Sequence, residues 1–563
     1  MEKPQLEPNV ESGKPLSGKK AKVYLDTILV EELGQFGLYQ LRMMLFAVVV
    51  VVFSAWATVD HIFTTARIST RCLIPECDDP SNTEFAPKWI LNAVPGTSAT
   101  SFEGCTRFAN ASLISPEAIH HTCPATLFDQ QRTVDCKKFI YANSESIVYD
   151  FGLACDEWRR SLIGTVRTVG TLVAMPLTGF ISDQLGRRTA LVINAFNTAW
   201  IGALRYFANT YISFLMSEFF EAVFGAGGFT CTYILVMELM GPKYRVVGGV
   251  VMNTFFAVGQ VTLGLLAWIL PYWRQLTLAV YLPQLTTISF YWLISESVRW
   301  YLSKSRFEEA EIVLKNVARI NKKQLSEKSL QKLRYNVEEE KKKQARDTEL
   351  KAKEPWLIAE VFRHKSILVR CFVSPLWWVT ATFIYYGLSI NSLNLTGNKY
   401  LNYVTVSAVE IPGFWIAFLL LGFAGRKPVL IGGFWLCAAC QIAFIFIPST
   451  NATASLAVYM VGKCSIAMVM AAIYVYTSEL YPTKYRNSLF AFSSMMGRIG
   501  AILAPLTPAL GAEVWEQLPF ELFGGCALLS GLLVLLTPET LGTQLPDTME
   551  EASNLICKRT NAS

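Results

Sequence analysis

Charge is scarce in this chain. Lys, Arg, Asp and Glu make up 17% of its 563 residues, where a soluble domain carries roughly 25%. Hydrophobic residues reach 52% and the mean hydropathy is +0.33. The shortage of charge excludes an ordinary soluble enzyme, and the apolar content excludes disorder and collagen-like repeats. The net charge of +6 is not spread over a basic face. Its Lys and Arg gather in particular loops, which argues against a nucleic-acid partner. Catalytic signatures are missing too. The large loop at 64–155 contains His120 and His121 but neither G-x-S-x-G nor H-E-x-x-H, so an extracellular catalytic domain has no support. No cleavable signal peptide is visible, because about forty mostly polar residues precede the first apolar run and no small-residue cleavage site follows it.

What the chain has instead is long apolar runs. Met43 to Val59 holds no charge, and similar stretches recur at 162–181, 190–206, 211–237, 246–270, 276–294, 367–390, 403–423, 429–447, 456–476, 488–510 and 518–536. A bilayer core needs roughly 20 apolar helical residues, and in hydrocarbon only helices satisfy their own backbone. The pattern predicts an all-α membrane protein of twelve transmembrane helices, the third being the shortest. Orientation follows from the basic residues. The tail with Lys3, Lys14, Lys19, Lys20 and Lys22 shares a side with Arg187–Arg188, Lys243–Arg245, the 298–366 loop, Arg426–Lys427 and Lys484–Arg486. That side is expected to be the cytosol, with both termini in it.

The expected organisation is a cytosolic tail at 1–41, a six-helix half at 42–297 and a cytosolic central loop at 298–366. A second half at 367–537 and a tail at 538–563 follow. The central loop reads as surface helix in a solvated linker. The 64–155 loop falls outside and holds Cys72, Cys77, Cys105, Cys123, Cys136 and Cys155, six of thirteen cysteines. An even cluster in one outer loop reads as three disulfides, of fifteen possible pairings. Zinc is the competing reading, but only Cys72 and Cys77 approach its C-x₂₋₄-C spacing. Asn110-Ala-Ser112 in this loop is a plausible glycan site. Asn394 and Asn451 also begin outward-facing sequons, close to the membrane, while Asn561 begins one on the cytosolic side. Oxidised cysteines and sequons on one side point to the plasma membrane.

The chain repeats itself. Glu238-Leu-Met-Gly-Pro-Lys-Tyr-Arg245 matches Glu479-Leu-Tyr-Pro-Thr-Lys-Tyr-Arg486 at an offset of 241, and Gly186-Arg187-Arg188 matches Gly425-Arg426-Lys427 at 239. Six spans plus six, with corresponding loops on one side, is a parallel repeat, the arrangement of transporters that rock two halves about a midplane site. Anchoring by basic residues explains the Lys and Arg of these loops, but not the carboxylates Asp183, Glu238 and Glu479 beside them. Opposite charges at the mouths of both halves are expected to pair when that side closes and to break as the halves part.

These residues resemble the major facilitator superfamily, whose signature loop is similar to Gly179-Phe-Ile-Ser-Asp183-Gln-Leu-Gly186-Arg187-Arg188, with Gln184 in place of a base. Within it the chain resembles the organic cation, carnitine and organic anion transporters. The Cys-rich loop carries this. So do Leu270-Pro-Tyr-Trp-Arg274 into Leu278-Ala-Val, Glu296-Ser-Val-Arg299-Trp300 with Arg306 and Glu309-Ala310, and Ser478-Glu-Leu-Tyr-Pro-Thr483. Pro538-Glu539-Thr-Leu-Gly542 with Leu545-Pro-Asp-Thr548 completes the set. Ser295 stands where that family usually has Pro. The resemblance implies the major facilitator fold and alternating-access transport of small organic ions across the plasma membrane. It adds Glu296, Arg299 and Glu539 to a conformational set of Asp183, Arg187, Arg188, Glu238, Arg245, Arg426, Glu479 and Arg486.

Ionisable groups inside spans are expensive and mark function by default. Here they are Arg167, Glu218, Glu221, Glu410, Lys463 and Arg498. Glu221 stands where many superfamily members carry an Arg linked to proton coupling. It is expected to pair with Arg167 or Arg205. The resemblance implies that cation-selective members have Asp at the position of Arg498, and anion or carnitine types Arg. A guanidinium in a dry cavity holds a carboxylate bidentately and repels a simple cation. The alternative is an Arg paired to a neighbouring Glu. Glu410, before Ile411-Pro412, lacks the Lys that anion types tend to add, having Phe414 instead. With Arg498 it suits a zwitterion, though it could equally neutralise Arg498 or Lys463. Tyr385, Tyr386, Trp377, Trp378 and Tyr474 are candidate lining aromatics, able to hold quaternary ammonium by cation–π contact, and Gln260 completes the binding set. The expected cargo is a carboxylate-bearing zwitterion such as a carnitine-like betaine or a β-amino acid like β-alanine. A polyspecific organic cation transporter and an organic anion exchanger are the alternatives. A receptor, a channel and a sugar porter are further readings. The duplicated mouths argue against the first two, the six cysteines and Arg498 against the third. No cofactor or metal is expected beyond an unnamed coupling ion.

Overall fold

The structure is a computed structural model that describes residues 25–79, 84–98, 101–111, 123–351, 357–448, 451–543, 545–546 and 548–554. The basic residues of the N-terminal tail, Ser112, His120, His121, Asp547 and Asn561 lie outside them. Twelve helical stretches follow the apolar runs. They are α1 (Leu38–Thr64), α2 (Glu157–Leu185), α3 (Arg187–Leu204), α4 (Tyr211–Leu239), α5 (Pro242–Ile269), α6 (Trp273–Tyr281), α7 (Lys365–Asn394), α8 (Lys399–Phe423), α9 (Arg426–Phe446), α10 (Ala452–Leu480), α11 (Arg486–Glu513) and α12 (Leu518–Val534). Among the described residues nine of these are long and apolar enough to cross a membrane.

The other three fall short for visible reasons. Helix α3 is 18 residues long and opens on two arginines. Helix α6 gives way to a 3₁₀ run at Leu282–Ser289. Pro283 there has no N–H to donate, and the hydroxyls of Thr286, Thr287 and Ser289 bond back to carbonyls three residues earlier, competing with the α-helical ladder. Helix α12 has 17 residues.

The two halves are built alike. Gly186 and Gly425 end the preceding helices at φ of +101° and +100°, a left-handed conformation that a side chain disfavours. Each turn directs the next helix onto a distant glutamate. Glu296 accepts the N–H of Arg187 (2.8 Å) and of Arg188 (3.1 Å). Glu539 accepts those of Arg426 (3.0 Å) and Lys427 (2.9 Å). A carboxylate on the unsatisfied N–H groups of α3 and α9 also meets the positive end of the helix dipole. The sequence motif is thus a helix cap, used twice.

Contacts between the halves run along α5–α8 and α2–α11. The segment between α1 and α2 lies at one end of the bundle. It is not helical throughout, as an all-α reading would have it. Six short strands form three antiparallel pairs: β1 (Thr70–Cys72) with β6 (Phe139–Tyr141), β2 (Gly96–Ser98) with β3 (Ser101–Phe102), and β4 (Thr106–Asn110) with β5 (Phe128–Asp135). A segment this small buries little apolar surface, and here that core is Ile74, Ile90, Val94, Leu127 and Phe128. The buried Arg71–Asp78 pair at 2.6 Å and three disulfides supplement it. Asn110 is exposed on β4, its amide donating to Glu76 at 2.6 Å. Burial pushes the Glu76 carboxyl up, but hydrogen bonds from Arg107 and Asn110 prevail and hold it below its ordinary value.

The 298–351 stretch is helical, but it is no detached linker. Ala310, Leu314, Val317 and Ala318 of the helix Phe307–Ile320 bury against Leu25, Ile28, Leu29 and Leu33. Those residues come from 25–33, a stretch the sequence reading left in the tail. Glu32 ties the two together, accepting from the Ser326 N–H at 2.8 Å.

The structure pairs Cys72 with Cys136, Cys77 with Cys123 and Cys105 with Cys155. Peptide mapping under non-reducing conditions is expected to recover these three cross-linked pairs. Any other pairing would contradict the strand arrangement, which brings these Cα atoms within 5.4–5.8 Å.

Candidate functional site

Helix α8 is broken at Val409, between Lys399–Ala408 and Glu410–Phe423. Pro412 cannot donate to the carbonyl of Ala408, so the ladder opens there. Glu410 then occupies the first turn of the second piece, where the helix dipole favours a carboxylate. It is fully buried. Lys463 Nζ of α10 lies 2.9 Å from Oε1. The Tyr385 hydroxyl donates to Oε2 at 2.6 Å, and Gln260 of α5 donates to the same oxygen at 2.9 Å. Lys463 also donates to the Tyr385 carbonyl and to Ser389 Oγ, both at 2.7 Å, and its ammonium sits 3.8 Å from the centre of the Tyr385 ring. Of the two partners left open in the sequence, Glu410 takes Lys463 and not Arg498. Gln260 belongs to this knot from the opposite half, so the knot also joins the halves.

Arg498 is placed differently. It is half-buried on α11, next to Gly497, which packs on Trp378. It makes no hydrogen bond or ion pair with any described residue. Tyr474 of α10 is within electrostatic reach of both Arg498 and Tyr386, and of Tyr233 on α4 across the halves. Between Gly462 and Leu480, Tyr474 is the one exposed residue of α10. It is 46% exposed on the otherwise interior 462–480 stretch of α10, and its reach to Tyr233 turns that exposure toward a space between the halves.

The five aromatics therefore divide. Tyr474 and the half-buried Tyr386 face this space. Trp377 and Trp378 do not. They are core residues, the first against Tyr476 at 5.7 Å and the second against Tyr474 at 4.7 Å, with its Nε1 donating to Thr477. Tyr385 is buried and committed to Glu410. Tyr233 was missed by sequence reasoning, because one Tyr in an apolar helix carries no signal until a partner from the other half faces it.

The charged mouths pair within their own halves. Arg187 reaches Asp183 (2.8 Å) and Glu238 (3.5 Å). Arg426 grips Glu479 with Nε and Nη2, each at 3.0 Å. Arg188 lies 4.4 Å from the Tyr291 ring, and Arg486 donates to the Thr483 hydroxyl at 3.1 Å. Arg245 and Arg299 share Asp26, the first at 2.5 Å. The role of Asp26 was not visible in sequence, because it lies in the stretch taken for a tail. Among the described residues no ion pair joins the mouth of one half to that of the other.

Polar links between the halves lie elsewhere, at the disulfide-bearing end or midway. Lys399 reaches Glu145 at 2.6 Å, the Trp158 ring N–H donates to Glu513, and Thr165 donates to the Ile502 carbonyl at 3.2 Å. Midway stands the Gln260–Glu410 bond. Phe63 and Trp268 stack on Tyr400 at the same end. Among the described residues, polar links and stacked rings thus hold the halves together at the disulfide end, and none joins the Arg187 and Arg426 mouths.

Removing one member of the Glu410–Lys463 pair strands the other in a dry interior, at a cost of about 3–5 kcal/mol. Glu410→Gln is expected to lower the midpoint of thermal unfolding in detergent sharply. Glu410→Gln with Lys463→Met should recover most of the loss. A double variant no better than the single would contradict the pairing.

The model of the "sugar (and other) transporter" family matches residues 130–551. The chain is 30% identical over 534 residues to the organic cation transporter protein of Drosophila melanogaster, covering 93% of this chain and 94% of that one. It is 26% identical to the human organic cation/carnitine transporter 2, with 92% of each chain covered. Among solved structures, the inward-open xylose transporter XylE from E. coli superposes with a TM-score of 0.60 at 15% identity, over 92% of this chain and 100% of that one, which establishes the fold. With its capped and duplicated halves, the chain belongs to the sugar (and other) transporter family of the major facilitator superfamily, within the solute carrier group of organic cation and carnitine transporters.

Proposed function

We propose that this protein carries small carboxylate-bearing organic ions across the plasma membrane by alternating access, with zwitterions such as carnitine-like betaines or β-amino acids favoured. The observation that carries this reading is Arg498, a half-buried guanidinium with no counter-ion among the described residues, beside the one exposed tyrosine of α10. An unpaired cation in a low-dielectric space is costly, and a substrate carboxylate bound bidentately would relieve that cost. Glu410 is neutralised by Lys463, so the ammonium end of a zwitterion falls to the faces of Tyr474, Tyr386 and Tyr233, by cation–π attraction.

In this reading α3, α6 and α12 complete twelve spans, in halves at 42–297 and 367–537. The disulfide segment lies outside and both termini lie in the cytosol, as the basic loops favour. The bundle, parted at the Arg187 and Arg426 mouths, is then an inward-open state. The Glu145–Lys399 and Trp158–Glu513 contacts form the outer gate. The intra-half pairs at the mouths are the partners that exchange when the inner side closes. Asn110 would carry the outer glycan.

The relatives' names favour a second reading, a polyspecific organic cation transporter. Uptake of a labelled quaternary cation, a betaine, a β-amino acid and a dicarboxylate should be compared in cells expressing wild type and Arg498→Asp. Uptake of betaine or β-amino acid by the wild type, lost at least tenfold in the variant, is expected. That loss corresponds to at least about 1.4 kcal/mol of binding. Dicarboxylate uptake alone would indicate an anion exchanger. Strong uptake of the simple cation, indifferent to the substitution, would make Arg498 structural.

A further inference from the structure

The first half holds a second buried charge cluster, away from the Arg498 space. It gathers Asp60 from α1, Arg167 from α2, Arg205 from the 3₁₀ turn after α3, Glu218 and Glu221 from α4, and Tyr281 from α6. Asp60, Arg205 and Glu218 have no exposed surface and Glu221 has 1%. Arg167 binds Glu218 at 2.7 Å, Glu221 at close range and the Ala57 carbonyl at 2.6 Å. Arg205 reaches Glu218 at 3.0 Å, Asp60 at 3.2 Å, Glu221 at 3.5 Å and the Tyr281 hydroxyl at 3.0 Å.

Three carboxyl groups share two guanidiniums. Fully ionised, the cluster would hold a net negative charge inside a span, buried from solvent and with no third Lys or Arg among the described residues to balance it. Such a charge is costly in hydrocarbon, and the group that carries it takes up a proton instead. The contacts say which group this is. Glu218 and Glu221 each touch both arginines. Asp60 has a single guanidinium contact, to Arg205 at 3.2 Å, and its Oδ1 has no partner among the described residues. His61 adjoins it, but lies within electrostatic reach of both Arg167 and Arg205, which oppose a third positive charge.

We propose that Asp60 is a proton-binding site, neutral in this closed-outside state, and that its proton is the ion exchanged with the outer medium when the halves part there. The route starts at the adjoining residue. His61, Arg160 and Ser161 line a small cavity of about 30 Å³, room enough for water. Its far wall is Pro505 and Pro508 of α11, part of the contact that closes the disulfide end. When α2 and α11 separate, this cavity opens outward at His61, the residue after Asp60. Protonation of Asp60 removes the excess negative charge and stabilises the closed cluster. Deprotonation leaves it unbalanced and favours an arrangement that water can reach. The exchange part of the proposal rests on the alternating-access reading above; the bound proton does not.

Infrared difference spectra of the purified full chain read the proton directly. At neutral pH the wild type should show the C=O stretch of a protonated carboxyl, shifted by ¹³C-labelled aspartate and not by ¹³C-labelled glutamate. Asp60→Asn should abolish it, while Glu221→Gln should not. No such band, or one that survives in Asp60→Asn, would overturn the proposal. The isotope shift decides the question even where the variant fails to fold, since a band that moves with labelled glutamate would overturn it equally. In proteoliposomes, uptake of labelled glycine betaine should respond to an imposed pH gradient. Betaine uptake indifferent to that gradient would overturn the exchange. No betaine uptake under any gradient would instead count against the substrate reading, which the infrared band does not depend on.

Discussion

An ion stripped of water must find an opposite charge or a dense shell of dipoles, and the membrane interior makes this constraint severe. The placement of nearly every helix here answers it. Glu410 and Lys463 lock α8 to α10, with Tyr385 and Gln260 completing the shell. Arg167 and Arg205 lock α1, α2 and α4 around Glu218 and Glu221. Arg370 on α7 is buried without a carboxylate and is satisfied by the carbonyls of Leu480 and Ala552, which pins the helix Met549–Ser553 beneath it. Against this background Arg498 stands out, because no described residue serves it with a hydrogen bond or counter-ion.

The same constraint explains the hinge geometry. The glutamates that cap α3 and α9 make each half a closed electrostatic unit, so the mouths can part without leaving a bare charge. The disulfide-bearing end is held differently, by an ion pair, an indole hydrogen bond and stacked aromatics that cross between halves. Partly exposed contacts of this kind contribute little each, roughly 0–1 kcal/mol for the ion pair. They are suited to breaking in turn. The Gln260–Glu410 bond lies between the two ends and also joins the halves.

Much of this was legible in the sequence. Apolar runs mark helix positions because hydrocarbon leaves the backbone no other choice, and the duplicated loops show as matched residues 239–241 positions apart. Glu221 and its arginines were foreseeable as partners because few charges exist in the spans. What remained hidden depends on which helix faces which. Hydropathy cannot tell that Trp377 and Trp378 pack inward while Tyr474 opens to a cavity, nor that Glu410 meets Lys463 rather than Arg498. Asp26 and the Leu25–Leu33 stretch looked like tail, because a short helix is recognised by what it docks on. The strands of the disulfide segment were hidden for the same reason: they are two to eight residues long and held by cross-links more than by pattern.

The central claim is that two rigid halves rock about a central site, opening one end as the other closes. Double electron–electron resonance tests this most directly, with one spin-label pair at Arg159 and Glu516 on the disulfide end and a second at Gln184 and Ala424 on the other. Adding a saturating transported betaine is expected to shift the two distance distributions in opposite directions, the Gln184–Ala424 pair shortening as the Arg159–Glu516 pair lengthens. Distances that move together, or Gln184–Ala424 distances unchanged by a betaine that is demonstrably transported, would contradict the account.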